Sequence, residues 1–232
     1  MREIAGLTAS DFLLIFQQVD FFDPFSDKER EALVERHAHV VAYDVGEYLI
    51  QEGSSEERSL FLLLSGGASV VKQGASIPLA SLVPGDFFGE VAFLTARPRT
   101  SNVIVHPPSI PLSANPTIPN LLDLGLPTEV AMATATVLRF DPELMPGLGS
   151  MLRIKLKDRI IQHLTRRVDR MHAKVIRLTG QDPMLSVDPE LVEQLQDSHH
   201  QHALDERERT KDRLIEQLAA FLDELNHALV AY

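Results

Sequence analysis

From His39 to about residue 105 the chain is cut into short β-rich runs, VVAYDVGEYLIQEG, SLFLLLSGGASVVKQG and IPLASLVPGDFFGE, broken by Gly, Asp and Pro at regular spacing. That pattern is the signature of an all-β barrel or sandwich. TEVAMATATVLRFD, residues 128–141, predicts a closing strand pair. After Asp141 the period changes, and the chain reads as helical to its end. A β core with helices before and after it implies an α+β fold.

Ahead of the β region, residues 8–19 predict a helix, with Thr8 or Ser10 as cap and Phe12, Leu13, Ile15 and Phe16 as its apolar stripe. A second helix is expected at FSDKEREALVERH, where Ser26 and Glu29 have capping-box spacing. The strands are interrupted by HPPSIPLSANPTIPNLLDLGLPT, which holds six prolines. Proline lacks the N–H that a ladder needs, so residues 107–128 predict a loop inserted in the β region. Its apolar tail, NLLDLGLP, could lie on the protein's own surface or dock a partner.

The helix expected over about 149–178 carries a sharper signal. Ile154, Ile161, Val168 and Val175 recur every seven residues, with Leu164, Met171 and Leu178 between them and Lys157 breaking the first interleaved slot. β-branched residues at one seam position with Leu or Met at the other favour a parallel two-stranded coiled coil, here read as a homodimer seam. This helix is rich in Arg and Lys, whereas the segment after Gly180 is acidic and repeats Leu214, Leu218, Phe221, Leu225 and Ala228. A basic helix followed by an acidic one predicts that the two pack together, within or between chains. The expected organisation is an N-terminal helix at 1–20, the β domain at 21–148, the seam helix at 149–180 and an acidic helical tail at 181–232.

Composition narrows the function. The 232 residues are 44% hydrophobic, enough for a core. The absence of cysteine removes disulfides, thiolate metal sites and cysteine nucleophiles. No run reaches the roughly 20 apolar residues of a membrane helix, and the simple expectation is a cytoplasmic protein. A net charge of -11 opposes general nucleic-acid binding. His199, His200 and His202 lack the surrounding spacing of a metal site. No nucleophile–base pair suggests an enzyme.

The chemistry concentrates in FFGEVAFLTARPRTSNV, residues 87–103. A short helix beginning at Gly89 would turn free backbone N–H groups toward an anion. Glycine permits close approach of a ligand, and Arg99 offers a donor fork that matches phosphate. Glu90 would be repelled by phosphate, so hydroxyl groups are its natural partners. One anion, a pair of hydroxyls and an apolar surround describe a nucleotide with a single phosphate; a bare Glu–Arg ion pair in a turn is the simpler alternative.

This stretch resembles the phosphate-binding cassette of the cyclic-nucleotide-binding domain family, F-G-E-x-A-L-L-x-x-x-P-R-x-A-T-V. DVGEYLIQEG and SLFLLLSGGASVV resemble the family's strand–turn–strand segments, and ATATVLRFDPELM its last strand and the start of its C-terminal helix. The resemblance covers roughly residues 20–178 apart from the insertion, and implies a jelly-roll-like β-roll with flanking helices. It further implies that Gly89 and the amides after it, Val91 included, cradle the cyclic phosphate while Arg99 pairs with its charge. Glu90 would accept from the ribose 2′-hydroxyl and Ala92 would keep the helix close to the ligand. Thr100 and Ser101 would flank phosphate and base, leaving cAMP and cGMP both open.

Two features depart from the family. Aligned through Arg166 and Arg167, Met171 and His172 stand where catabolite-activator-type members present Thr and Ser to adenine. Met171 could stack on a purine and His172 could donate one hydrogen bond, or Met171 could simply fill the seam. The insertion could shield the pocket. No helix-turn-helix pattern follows the long helix, and an acidic tail there would be repelled by DNA. The expected function is therefore a cAMP or cGMP sensor without metal, homodimeric and signalling to a protein partner through tail or proline-rich loop. A scaffold that kept the fold without responding to nucleotide is the main alternative, and a transcription regulator with an atypical DNA element the second.

Overall fold

The computed structural model describes residues 1–34, 38–74, 78–95, 97–106, 135–179 and 204–230. The proline-rich segment, residues 128–134 of the expected strand pair, and His199, His200 and His202 lie outside the described residues. The chain divides into two compact units, Met1–Leu148 and Gly149–Tyr232.

The first unit is a β-roll of two antiparallel sheets. Strands β1 (Arg2–Glu3), β2 (Ala38–Tyr43), β4 (Leu60–Ser65), β7 (Phe87–Phe88) and β9 (Ala135–Phe140) form one sheet in the order β1-β2-β9-β4-β7. Strands β3 (Tyr48–Ile50), β5 (Gly67–Val71), β6 (Ala80–Leu82) and β8 (Asn102–His106) form the other, ordered β3-β8-β5-β6. Leu60 to Leu64 are all buried, so β4 is covered on both faces. This explains why its sequence is a continuous apolar run rather than an alternation.

The N-terminal helices supply the cover. Helix α1 (Ala9–Gln17) is capped by Thr8, whose backbone N–H donates to the Asp11 carboxylate at 2.7 Å. A 3-10 turn (Asp20–Phe22) and α2 (Asp27–Val34) follow. At the start of α2 the Ser26 N–H and hydroxyl both donate to Glu29, at 2.8 and 3.0 Å. Phe16 stacks on Phe22 with centroids 4.0 Å apart, and both approach Phe140 of β9. Phe21 lies 4.1 Å from Phe87, which ties this turn to the strand just before Gly89. Truncating a buried phenylalanine of this cluster to alanine costs about 3–5 kcal/mol. The aromatic cluster thus fixes the strand from which the cassette departs.

A short helix, α4 (Leu144–Gly147), closes the first unit, and the second consists of α5 (Ser150–Thr179) and α6 (Leu204–Val230). Ile154, Ile161, Leu164, Val168, Met171 and Val175 of α5 are buried, as the heptad reading expects, and so is Lys157. On α6 the buried residues are Leu214, Ile215, Leu218, Ala219, Leu222 and Leu225, while Phe221 is only half-buried. Of the expected stripe, Leu214, Leu218 and Leu225 are buried and Phe221 is not fully so, and Ile215, Ala219 and Leu222 are buried alongside them.

The basic and acidic helices pack together within one chain. Arg153 pairs with Glu208 at 2.9 Å, Lys157 with Asp212 at 2.5 Å, and Lys211 with Asp158. Partner numbers rise together along both helices, so the pair is parallel. The sequence reading places a second copy on this seam; in the structure α6 of the same chain lies along it. No helix among the described residues is long and apolar enough to cross a membrane.

Candidate functional site: the cassette between β7 and β8

Leaving β7, the backbone turns at Gly89, which has φ 81° and precedes α3 (Glu90–Leu94). A Cβ at Gly89 would sit 2.7 Å from an Arg99 terminal nitrogen and 2.9 Å from the Ser59 carbonyl oxygen. Both the left-handed turn and the close approach require glycine. The helix ends at Thr95, whose N–H and hydroxyl both donate to the Val91 carbonyl, at 2.9 and 2.7 Å. Glu90, Ala92 and Phe93 are buried, with Glu90 only 1% exposed.

Arg99 organises the site. It is 4% exposed, and its guanidinium donates to the Gly89 carbonyl at 2.9 Å, the Ser59 carbonyl at 2.8 Å and the Glu57 carbonyl at 3.0 Å. It also makes an ion pair with the Glu57 carboxylate at 2.8 Å and lies 5.7 Å from the centre of the Phe61 ring. The backbone is held as firmly: Arg99 N–H donates to Ser54, and its carbonyl accepts from Gly53, both at 2.8 Å. Loop 52–59 and the cassette are thus one hydrogen-bonded body. Lys72 reinforces it, donating to the Thr100 carbonyl at 2.7 Å and pairing with Glu52 at 3.2 Å.

The structure brings Gly89, Glu90, Val91, Ala92, Arg99, Thr100 and Ser101 together in the one segment between β7 and β8. The Ser101 hydroxyl is buried and has no hydrogen-bond partner among the described residues. Met171 and His172 belong to the second unit, where Met171 is buried in the α5 seam and His172 is half-buried. The sequence reading gave Arg99 to a phosphate; here the same guanidinium is also the keystone of a loop, because a buried cation must be paired wherever acceptors lie.

Sequence reasoning missed the groups around it. Besides Glu57, the Ser59 hydroxyl donates to Asp141 at 3.4 Å, and Asp141 also takes Arg139 at 3.1 Å and His39 at 3.1 Å. The other ring nitrogen of His39 lies 2.8 Å from Glu3. Ser59 therefore touches Arg99 with its carbonyl and Asp141 with its hydroxyl, linking the cassette to the end of β9. The one available signal was the need for a carboxylate near a buried arginine, which the stretch SSEERSL, with Glu56 and Glu57 side by side, cannot assign to a particular residue.

Residues 40–112 match the family model described as the cyclic nucleotide-binding domain. A cAMP-dependent protein kinase regulatory subunit of Emericella nidulans is 38% identical over 63 residues, 27% of this chain and 15% of that protein. A cGMP-dependent protein kinase of Plasmodium berghei is 32% identical over 90 residues, 39% of this chain and 10% of that protein. The chain thus spans only a small part of the length of these relatives. A solved cyclic nucleotide-binding domain from Methylobacillus flagellatus has the same fold, with a TM-score of 0.53, 18% identity, and coverage of 76% of this chain and 86% of that one. The first unit of this chain thus has the fold of a cyclic nucleotide-binding domain, and its residues 40–112 match the model of that family.

Proposed function

We propose that the first unit binds one cyclic nucleotide, cAMP or cGMP, and that the helical unit carries the response. The observation that supports this reading most is the buried Arg99, held against the Gly89 carbonyl at the turn that opens α3, whose first residue, Glu90, is itself buried. Gly89 and the amides of Glu90, Val91 and Ala92 receive the phosphate, and Arg99 balances its charge. Glu90 accepts from the ribose 2′-hydroxyl, and Thr100 and Ser101 border phosphate and base.

Ligand must favour one of two states to act as a signal. Phosphate would compete with Glu57 and the carbonyl of Gly89 for the guanidinium, and Ser59 would pass the adjustment to Asp141, where the chain leaves β9 for α4 and α5. The output is then dimerisation along α5, contact of α6 with a protein partner, or both. In the structure the buried apolar faces of the two helices lie on each other, so dimerisation along α5 requires the pair to open.

The test is competition between cAMP and 2′-deoxy-cAMP for the full chain, with 5′-AMP as control. A hydrogen bond to a charged carboxylate is worth about 1.5–3 kcal/mol, so the deoxy analogue should bind roughly ten- to two-hundred-fold more weakly. Equal affinity would remove Glu90 from the ribose. A scaffold that kept the fold without ligand is the second reading, and one observation favours it: the Arg99 fork already makes four hydrogen bonds within the protein.

A further inference from the structure

The seam of the helical unit contains a repeat. Residues 157–164 of α5 read K-D-R-I-I-Q-H-L, and residues 211–218 of α6 read K-D-R-L-I-E-Q-L, fifty-four positions later. At the same offset Arg153 matches Arg207 and Asp169 matches Asp223. The ion pairs obey the repeat. Lys157 pairs with Asp212, and Lys211 pairs with Asp158, each bridge being the image of the other under that offset. Both lysines are buried in the seam, and the buried Ile161 and Leu164 have Ile215 and Leu218 as their counterparts. A parallel pair with such reciprocal bridges has the symmetry of a homodimer, yet both helices come from one chain.

We infer that α6 is an internal mimic of α5 that occupies the seam a second copy's α5 would take. Cis pairing and homodimerisation through α5 are then mutually exclusive, because a second α5 would bring the same Lys–Asp bridges and the same isoleucine–leucine layers to the same face. Beyond the repeat the two helices diverge in a way that favours closure. Where α5 has Arg166, Arg167 and Arg170, α6 has Ala220, Phe221 and Glu224. An α5–α5 pair sets basic flanks against each other, and an α5–α6 pair does not. The closed form also has the advantage of an intramolecular contact. It carries one flaw: the Asn226 side-chain oxygen is buried without a hydrogen-bond partner among the described residues, which weakens the pair. The helical unit is thus a closed monomer that opens into an α5 dimer. This inference stands independently of nucleotide binding by the first unit.

The lack of native cysteine makes oxidative cross-linking a clean test on the full chain. The offset sets Val168 opposite Leu222. Val168→Cys alone should yield no covalent dimer, and Val168→Cys with Leu222→Cys should cross-link within one chain. Val168→Cys combined with Ile215→Asp and Leu218→Asp, which spoil the α6 face, should form a covalent dimer that Leu164→Asp abolishes. Lys211→Glu is a milder way to open the pair and should raise the dimer fraction several-fold without touching an apolar residue. Covalent dimers from Val168→Cys alone, a cross-link of the double-cysteine protein between chains or none at all, or a dimer fraction unmoved by Lys211→Glu would each overturn the inference.

Discussion

Two regions of this molecule bury cations, and they bury them differently. In the β-roll, Arg99 donates to three backbone carbonyls and one carboxylate drawn from loop 52–59 and the turn at Gly89. In the helical unit, Lys157 and Lys211 are satisfied by side-chain carboxylates, Lys157 by Asp212 and Glu208 and Lys211 by Asp158, and both aspartates are well exposed. Backbone acceptors cannot turn away without moving the chain, whereas exposed carboxylates can exchange one lysine for another or for water. The first arrangement builds a site of fixed shape; the second builds a junction that can open.

The contrast breaks most visibly at Arg99. Arg99→Met should destabilise the first unit by about 3–5 kcal/mol in urea unfolding, since it strands the acceptors of a buried charge. Lys157→Met, on the same scale, should change stability by no more than about 1 kcal/mol, because Glu208 keeps Arg153 and Asp212 faces water. Comparable losses at the two positions would erase the distinction.

Gly89→Ala comes next. A side chain at φ 81° costs about 1–2 kcal/mol, and its Cβ must also displace the Ser59 carbonyl or the Arg99 fork. A total of at least about 2 kcal/mol is expected, together with weaker nucleotide binding, measurable by unfolding and titration on one preparation.

The smallest effect is one of pH. The hydrogen bond from Arg153, and then that from Lys157, hold the Glu208 carboxyl below its ordinary value of 4.5. A group with a depressed folded value stabilises the structure above its unfolded value, and that contribution is lost as pH falls through the folded one. The α5–α6 pair should therefore keep its stability at neutral pH and loosen below about 4.5, a change that helix-specific hydrogen exchange can follow. A seam equally protected at pH 3.5 and 7 would mean that Glu208 contributes nothing.

Much of this was legible in the residues. Gly, Glu, Ala, Pro and Arg in register from 89 to 99 pointed to the cassette because each answers a separate demand: a left-handed turn, a buried acceptor, close packing, a stop and a donor fork. The heptads of α5 were equally plain. The tertiary partners were not. Nothing in Glu57 or Ser59 distinguishes them from their neighbours, since their roles arise from carbonyl and carboxylate positions that only folding brings to Arg99. The occupant of the α5 seam was ambiguous for a related reason: heptad chemistry specifies the kind of helix that pairs, and α6 presents the same chemistry as a second α5.

The central claim, that the cassette holds a cyclic nucleotide, is tested most directly by calorimetric titration of ligand-stripped protein with cAMP and with cGMP. Saturable binding of either in the micromolar range or tighter, with one site per chain and a loss of roughly ten- to two-hundred-fold in Arg99→Lys protein that still melts as a folded unit, is the predicted result. The absence of heat and of any thermal shift with both nucleotides would contradict it.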